Sequence, residues 1–356
     1  MKMTVYLFFT FIIGLMGMQP AKNGEFHKTY ISRNQSTSVN GLFTLFVFLT
    51  HATNYIKLGS VYDSTYNSFK IHLLQLIVVP FLFYSGYGVM ESIRKKGMDY
   101  VKQVPKNRFL KVLTHFVIAV SFYLIYNICC GKSFPLSQIL LSFIGYSSIG
   151  NSSWYIFAVL GLYLIVFVSF MLARKNHFLG AILATLLSIA FIYMQIRLKR
   201  PGYCYNTTIL FPAGMLFSLL RKPIEKIVMK NDIFYFCTLG ITFIGYIFFF
   251  LKRANGVEFY SIWGMFFMGL ILLVNMKIQM CNGLLEFLGS HVFSIYILQR
   301  LPMMIFQKIG LAQSHRYIFI AASFFVTLAI AVVFDAAMDK LDSKLFVRKK
   351  KVIENT

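Results

Sequence analysis

The chain reads as all-α, a polytopic integral membrane helix bundle of about ten or eleven transmembrane helices, and three observations point there. Of its 356 residues, 58% are hydrophobic and only 13% charged, against ~25% charged in an average soluble domain. Aromatic residues make up 17%, with 39 Phe and 21 Tyr, as suits side chains that face lipid and tyrosines that sit at its interfaces. The apolar residues come in runs separated by short basic clusters. Since one crossing takes ~20 apolar residues plus a connection, no sizeable soluble domain fits.

Taken in order, the runs predict spans at 4–18, 41–57, 71–93, 109–129, 153–173, 178–196, 206–220, 233–251, 259–275, 286–307 and 317–337. The first follows Lys2 as a signal peptide would, but it carries no clear small-x-small cleavage site and is read as a retained span. Orientation follows from loop Lys and Arg residues. Arg94–Arg108, Arg221–Lys230 and the tail with Arg348, Lys349, Lys350 and Lys351 are the basic connections. Eleven spans put all three on one side, so that side is predicted cytoplasmic, with the C-terminus on it and the N-terminus outside. Arg197, Lys199 and Arg200 then lie outside against the rule, a candidate anion-binding lip. Segment 131–152, rich in Gly, Ser and Asn, is the longest external connection and a candidate re-entrant stretch. No internal repeat or linker divides the chain. It is treated as residues 1–37, an extra N-terminal transmembrane helix and cytoplasmic loop; 38–337, the membrane domain; and 338–356, a basic cytoplasmic tail.

The net charge of +23 would suggest nucleic acid in a soluble protein. Here the basic residues occupy short connections, where they set topology and meet anionic lipid. Nucleic-acid recognition needs a basic soluble face, and none is present. The cysteines (Cys129, Cys130, Cys204, Cys237, Cys281) form no C-x-x-C, so neither a metal cage nor a disulfide framework is indicated. No metal ligand is assigned.

Polar residues inside spans cost up to ~3 kcal/mol on insertion and mark function or a partner within the bundle. Three groups qualify. Asn40 to His51 forms N-G-L-F-T-L-F-V-F-L-T-H. A helix starting near Gly41 carries His51 ~15 Å deep at 1.5 Å per residue, and Asn40, Thr44, Val47 and His51 share one face. A histidine there can take a proton from a hydroxyl, or simply hydrogen-bond within the bundle. Phe81 to Gly88 (F-L-F-Y-S-G-Y-G) sets Ser85 beside small residues that permit close helix approach. In the next helix Arg108, Lys111 and His115 stand at i, i+3 and i+7, a stripe leading inward from the surface. Snorkelling to headgroups is the plainer reading for such cations. Phe287 to Pro302 places Ser290, His291, Ser294, Gln299 and Arg300 in one apolar helix, where helix–helix hydrogen bonding is the alternative to function.

Together these segments resemble the membrane acyltransferase 3 family, polytopic O-acyltransferases that modify cell-surface polysaccharides. The family's basic residue, separated by ten residues from a His, is matched in spacing by Asn40 and His51, with Asn in place of Arg or Lys. Its F-F-x-x-S-G-F/Y signature is similar to Phe81–Tyr87, and its R-x-x-R-like helix start to Arg108 and Lys111. Its Trp-led fifth span resembles Asn151–Leu164 with Trp154. Its late S-x-x-Y-L-x-H-x-P stretch resembles S-I-Y-I-L-Q-R-L-P, with Gln299 in place of His. The resemblance covers roughly 38–337. It implies transfer of an acyl group, usually acetyl, from acyl-CoA to a sugar hydroxyl of an exported polysaccharide or lipid-linked sugar at the cell membrane. No permanently bound cofactor is implied; acetyl-CoA is a co-substrate. His51 becomes the base or acyl relay. Asn40, Ser85, Arg108, Lys111, His115, Trp154, Gln299 and Arg300 become candidate substrate or donor contacts. A glycan or small-molecule transporter, or a catalytically silent relative, are the competing readings. The absence of repeats argues against the first, and Asn40 and Gln299 argue for the second.

Overall fold

A computed structural model describes residues 3–59, 63–280 and 282–346. Tail residues Arg348, Lys349, Lys350 and Lys351, and Cys281, lie outside the described residues. In chain order the elements are α1 (Met3–Leu15), β1 (Met18–Pro20), α2 (Arg33–Ala52), α3 (Ser64–Leu73), α4 (Val79–Lys96), α5 (Met98–Val104), α6 (Lys111–Cys129), α7 (Leu136–Phe143) and α8 (Trp154–Ala173). Then come α9 (His177–Arg197), α10 (Leu210–Val228), α11 (Asp232–Lys252), α12 (Val257–Lys277), β2 (Ile278–Met280), α13 (Gly283–Ser290), α14 (Val292–Leu298), α15 (Arg300–Lys308), α16 (Leu311–Ser314) and α17 (Arg316–Leu345).

The protein is an all-α, multi-pass membrane protein. Among the described residues, seven helices are long and apolar enough to cross a membrane: Ser64–Lys96, Met98–Cys129, Trp154–Ala173, His177–Arg197, Asp232–Asn255, Val257–Lys277 and Arg316–Leu345. That is fewer than the expected ten or eleven, and the shortfall has physical causes. Helix α1 is apolar but only 13 residues long. Helix α2 starts eight residues before Gly41, with Ser32 capping Gln35 N, so its first two turns are polar. Helix α10 ends in Arg221, Lys222, Glu225 and Lys226 around an internal Pro223. The expected span 286–307 is three helices. The Ser290 hydroxyl bonds the Phe287 carbonyl (2.7 Å) at the first break. Pro302, lacking an N–H for the carbonyl of Leu298, accounts for the second at Gln299.

The helices run between two ends. At the basic end lie the start of α2 and the ends of α4, α10 and α17, tied by Arg221 to the Lys28 carbonyl (3.2 Å) and Lys277 to Asp232 (2.6 Å). At the far end Arg316 bonds the Lys57 carbonyl (3.2 Å) and Arg200 the Tyr146 carbonyl (2.8 Å). Arg200 also lies 4.2 Å over the Tyr146 ring, so this member of the candidate anion lip is already engaged. Strands β1 and β2 pair antiparallel, Gln19 opposite Gln279. This ribbon clips the connection after α1 to the one after α12.

Two helix pairs approach backbone to backbone, which needs small residues where lipid gives no hydrophobic drive. A Cβ on Gly86 would sit 1.9 Å from the Phe211 carbonyl and one on Gly214 2.1 Å from that of Phe83, locking α4 to α10. Gly41 and Gly289 do the same for α2 and α13, facing the carbonyls of Leu285 and Thr37. Segment 131–152 is not a plain loop. It forms α7 and then folds back, burying Ile149, Asn151 and Ser152 against the bundle.

Candidate active site

Helix α2 builds the longest wall of the site. Arg33, Ser36, Asn40, Thr44 and Val47 all line one pocket of about 710 Å³, a spacing that keeps them on one helical face. His51 continues the same face 18 residues from Arg33, ~27 Å further along at 1.5 Å per residue. Because α2 starts early, His51 falls in its last turn, beyond the pocket's floor. The opposite wall comes from α4, with Phe81, Tyr84, Ser85 and Glu91, and from α8, with Tyr155 and Tyr163. Ser85 Oγ lies 3.5 Å from the Tyr163 hydroxyl.

The mouth is cationic. Among the described residues, Arg33, Lys95, Arg108 and Arg221 line it with a single carboxylate, Glu91, which pairs with Arg94 (2.7 Å) and accepts from Ser218 (2.6 Å). Arg221 is held by Glu225 (2.6 Å). Arg33, Lys95 and Arg108 have no carboxylate partner among the described residues. Arg108 Nε donates to the Tyr100 hydroxyl (3.1 Å), and the Tyr163 hydroxyl also stands beside its guanidinium.

The floor is polar and under-bonded. Gln299 is fully buried, donates to the Tyr296 carbonyl (3.3 Å), and has no partner for Oε1 among the described residues. Asn40 Oδ1 is also buried without a partner there. Behind Tyr296 stands His51, whose ring centroid is 6.1 Å from that of Tyr296. Two groups meet its Nδ1, Arg300 Nε and Ser152 Oγ, each at 3.4 Å. Arginine can only donate, so Nδ1 presents a lone pair and Nε2 carries the hydrogen in the neutral ring. The Ser152 hydroxyl marks a second approach to that lone pair.

The expected stripe of Arg108, Lys111 and His115 is split. Pro105, which has no N–H to continue the helix, opens a π-helical turn over Pro105–Leu110, and its extra residue rotates the next helix about its axis. Arg108 stays in the pocket. Lys111 Nζ instead meets Asp342 at 2.5 Å and His115 Nε2 meets it at 2.9 Å, on α17 and outside the pocket. His291 and Ser294 both bind Asp335, two helical turns earlier on the same face of α17. Trp154 also stands outside, edge-on to Tyr155 (5.8 Å) and Tyr203 (6.4 Å). Its neighbour Tyr155 reaches the pocket. Sequence reasoning passed over Arg33, Ser152, Tyr155 and Tyr296. Arg33 had a readable signal, a cation seven residues before Asn40 and therefore on its face. Among the described residues no three His, Cys, Asp or Glu side chains gather as a metal site.

The arrangement can hold a phosphorylated molecule by its anionic end, with the other end at a floor whose Tyr296 packs against His51. In comparison with known proteins, a family model described as an acyltransferase domain, the acyltransferase 3 family, matches residues 39–336. No curated protein and no solved structure matches. That match runs from within α2, just after Arg33 and Ser36, through most of α17 and takes in every residue of the pocket floor; the chain belongs to the acyltransferase 3 family.

Proposed function

We propose that the protein is a membrane O-acyltransferase that moves an acyl group, most simply acetyl, from acyl-CoA to a sugar hydroxyl of a cell-surface or exported polysaccharide. One observation carries this reading: a single pocket runs from cations without carboxylate partners at the basic end to residues packed against His51. Acyl-coenzyme A is a chain with phosphates at one end and a thioester at the other. Arg33, Lys95 and Arg108 suit the phosphates, arginine through bidentate charge-assisted contacts. The apolar and tyrosine walls suit the pantetheine arm, and the volume falls within the range of ordinary ligand sites.

In the chemical step the acceptor hydroxyl approaches His51 where Ser152 Oγ now stands. Its proton passes to Nδ1 as its oxygen attacks the thioester carbonyl carbon. The C–S bond then breaks, the ester remains on the sugar, and the thiolate leaves and takes up the proton. Arg300 must yield part of its contact for Nδ1 to hold that proton. The unpartnered amide of Gln299 is placed to orient the acyl portion. In this reading the Arg94–Arg108 loop and C-terminus are cytoplasmic, the N-terminus is outside and segment 131–152 is external. External thiol labelling should mark Ser147→Cys and spare Lys102→Cys, and the reverse pattern would invert the topology.

The direct test is turnover of acetyl-CoA by purified protein with a sugar acceptor. Acceptor-dependent release of coenzyme A supports the reading. Net movement of the sugar across a sealed vesicle without acylation would replace it with transport.

A further inference from the structure

A second recess lies at the far end, on the other side of His51 from the donor pocket. It is an open cleft of about 800 Å³ between the turn after α2 and the junction of α15, α16 and α17. Asn54, Tyr55, Lys57, Gln307, Gln313 and Arg316 give it its chemistry, and no carboxylate lines it among the described residues. Three of these are amides, each offering paired donors and acceptors that match vicinal hydroxyls. Tyr55 offers an aromatic face with a polar tip. Lys57 and Arg316 give a positive rim beside His315, with one Arg316 Nη already on the Lys57 carbonyl (3.2 Å). Helix α17 opens here with no side-chain cap. The amides of Arg316, Tyr317 and Ile318 therefore have no acceptor within the helix, and its positive dipole end faces the same recess.

Two elements connect the cleft with His51. The backbone N–H of Asn54 donates to the backbone carbonyl of His51 (3.1 Å), so the two are joined by one turn. On α15, Arg300 touches His51 while Gln307, seven residues on, lines the cleft, ~10 Å along the helix. A polymer of sugars spans such a distance with two or three residues, and a free phosphate or a single metabolite does not need so many amides.

We propose that this cleft binds the acceptor, a glycan that carries negative charge, and feeds one of its hydroxyls to His51 from the side opposite the donor. This rests on the acyltransferase reading and adds to it where the acceptor sits and what charge it bears. The full-length protein in phosphatidylcholine nanodiscs is titrated with an oligouronate and with a neutral maltooligosaccharide of equal length. The oligouronate binds at least about tenfold more tightly, and the Lys57→Ala/Arg316→Ala double variant loses that preference, the scale of lost charge-assisted contacts. Gln313 is exposed, so Gln313→Ala leaves the fold intact and weakens both sugars. Acetyl-CoA affinity, measured on the same nanodiscs, stays unchanged in all these variants. Equal binding of the two sugars, or a preference that survives the double variant, overturns the proposal. So does selective retention of phosphatidylglycerol by the wild type alone with no sugar bound, which assigns the cleft to a lipid headgroup. If acetyl-CoA fails to bind while the oligouronate result holds, the donor reading falls and the cleft assignment stands.

Discussion

Two groups of polar side chains, one fastened to α17 and one lining the pocket, differ in whether they are already satisfied. On α17, Asp335 and Asp342 each gather two partners, His291 with Ser294 and Lys111 with His115. Around the pocket the opposite holds among the described residues: Asn40 Oδ1 and Gln299 Oε1 are buried without partners, and Arg33, Lys95 and Arg108 have no carboxylate. A polar group costs free energy in hydrocarbon unless it is bonded. The paired set therefore behaves as scaffold, fastening α6 and α14 to α17. In the proposed reading, bound donor completes the buried oxygens of Asn40 and Gln299, and the exposed cations at the mouth meet its phosphates. Arg108 and Lys111, cations on one sequence stripe, end in different places according to whether a carboxylate faces them.

That contrast can be broken in graded steps. Replacing His51 by Ala should lower acyl transfer by ~10²–10⁴-fold, the usual contribution of a positioned base, with membrane content of the protein unchanged. Replacing Asp342 by Ala should leave His115 buried without its anion. The resulting loss, on the order of 2–3 kcal/mol for a partly buried pair, is read as a lower melting temperature of the detergent-purified protein. Arg108→Ala should weaken acetyl-CoA binding about tenfold with little change in turnover at saturating donor, as removal of one charged phosphate contact does. Lys111→Ala should shift donor affinity by less than about twofold, since its charge is committed to Asp342 and is largely screened at a half-exposed site. Equal donor effects from Arg108→Ala and Lys111→Ala would erase the distinction between the two sets.

Much of this was open to a reader of the sequence. Composition marked the class and the basic loops, and the spaced segments around His51, Ser85 and Arg108 resembled the family that the match at residues 39–336 then showed. The features that stayed hidden depended on contacts distant in the chain or on irregular backbone. Asp342 lies 227 residues from His115, so no local pattern ties them. The π turn at Pro105–Leu110 that parts Arg108 from Lys111 leaves only a proline as its trace. The early start of α2 hid because its first turns are polar and read as loop, which concealed Arg33 at the mouth. Ser152 reaches His51 on a folded-back segment without periodicity. The breaks at His291 and Gln299 came from a serine and a proline whose effects are visible only once the helix is drawn.

His51 is set apart from the bonded residues of the scaffold if it exchanges a proton during acyl transfer. His51→Gln separates the two roles, because an amide can donate and accept hydrogen bonds to Arg300 and Ser152 but cannot hold a proton at neutral pH. The measurement is acylated glycan formed from acetyl-CoA by membranes carrying His51→Gln at an expression level matched to the wild type. Proton exchange at His51 predicts a loss comparable to that of His51→Ala. Near-normal acylation by the glutamine variant would contradict it.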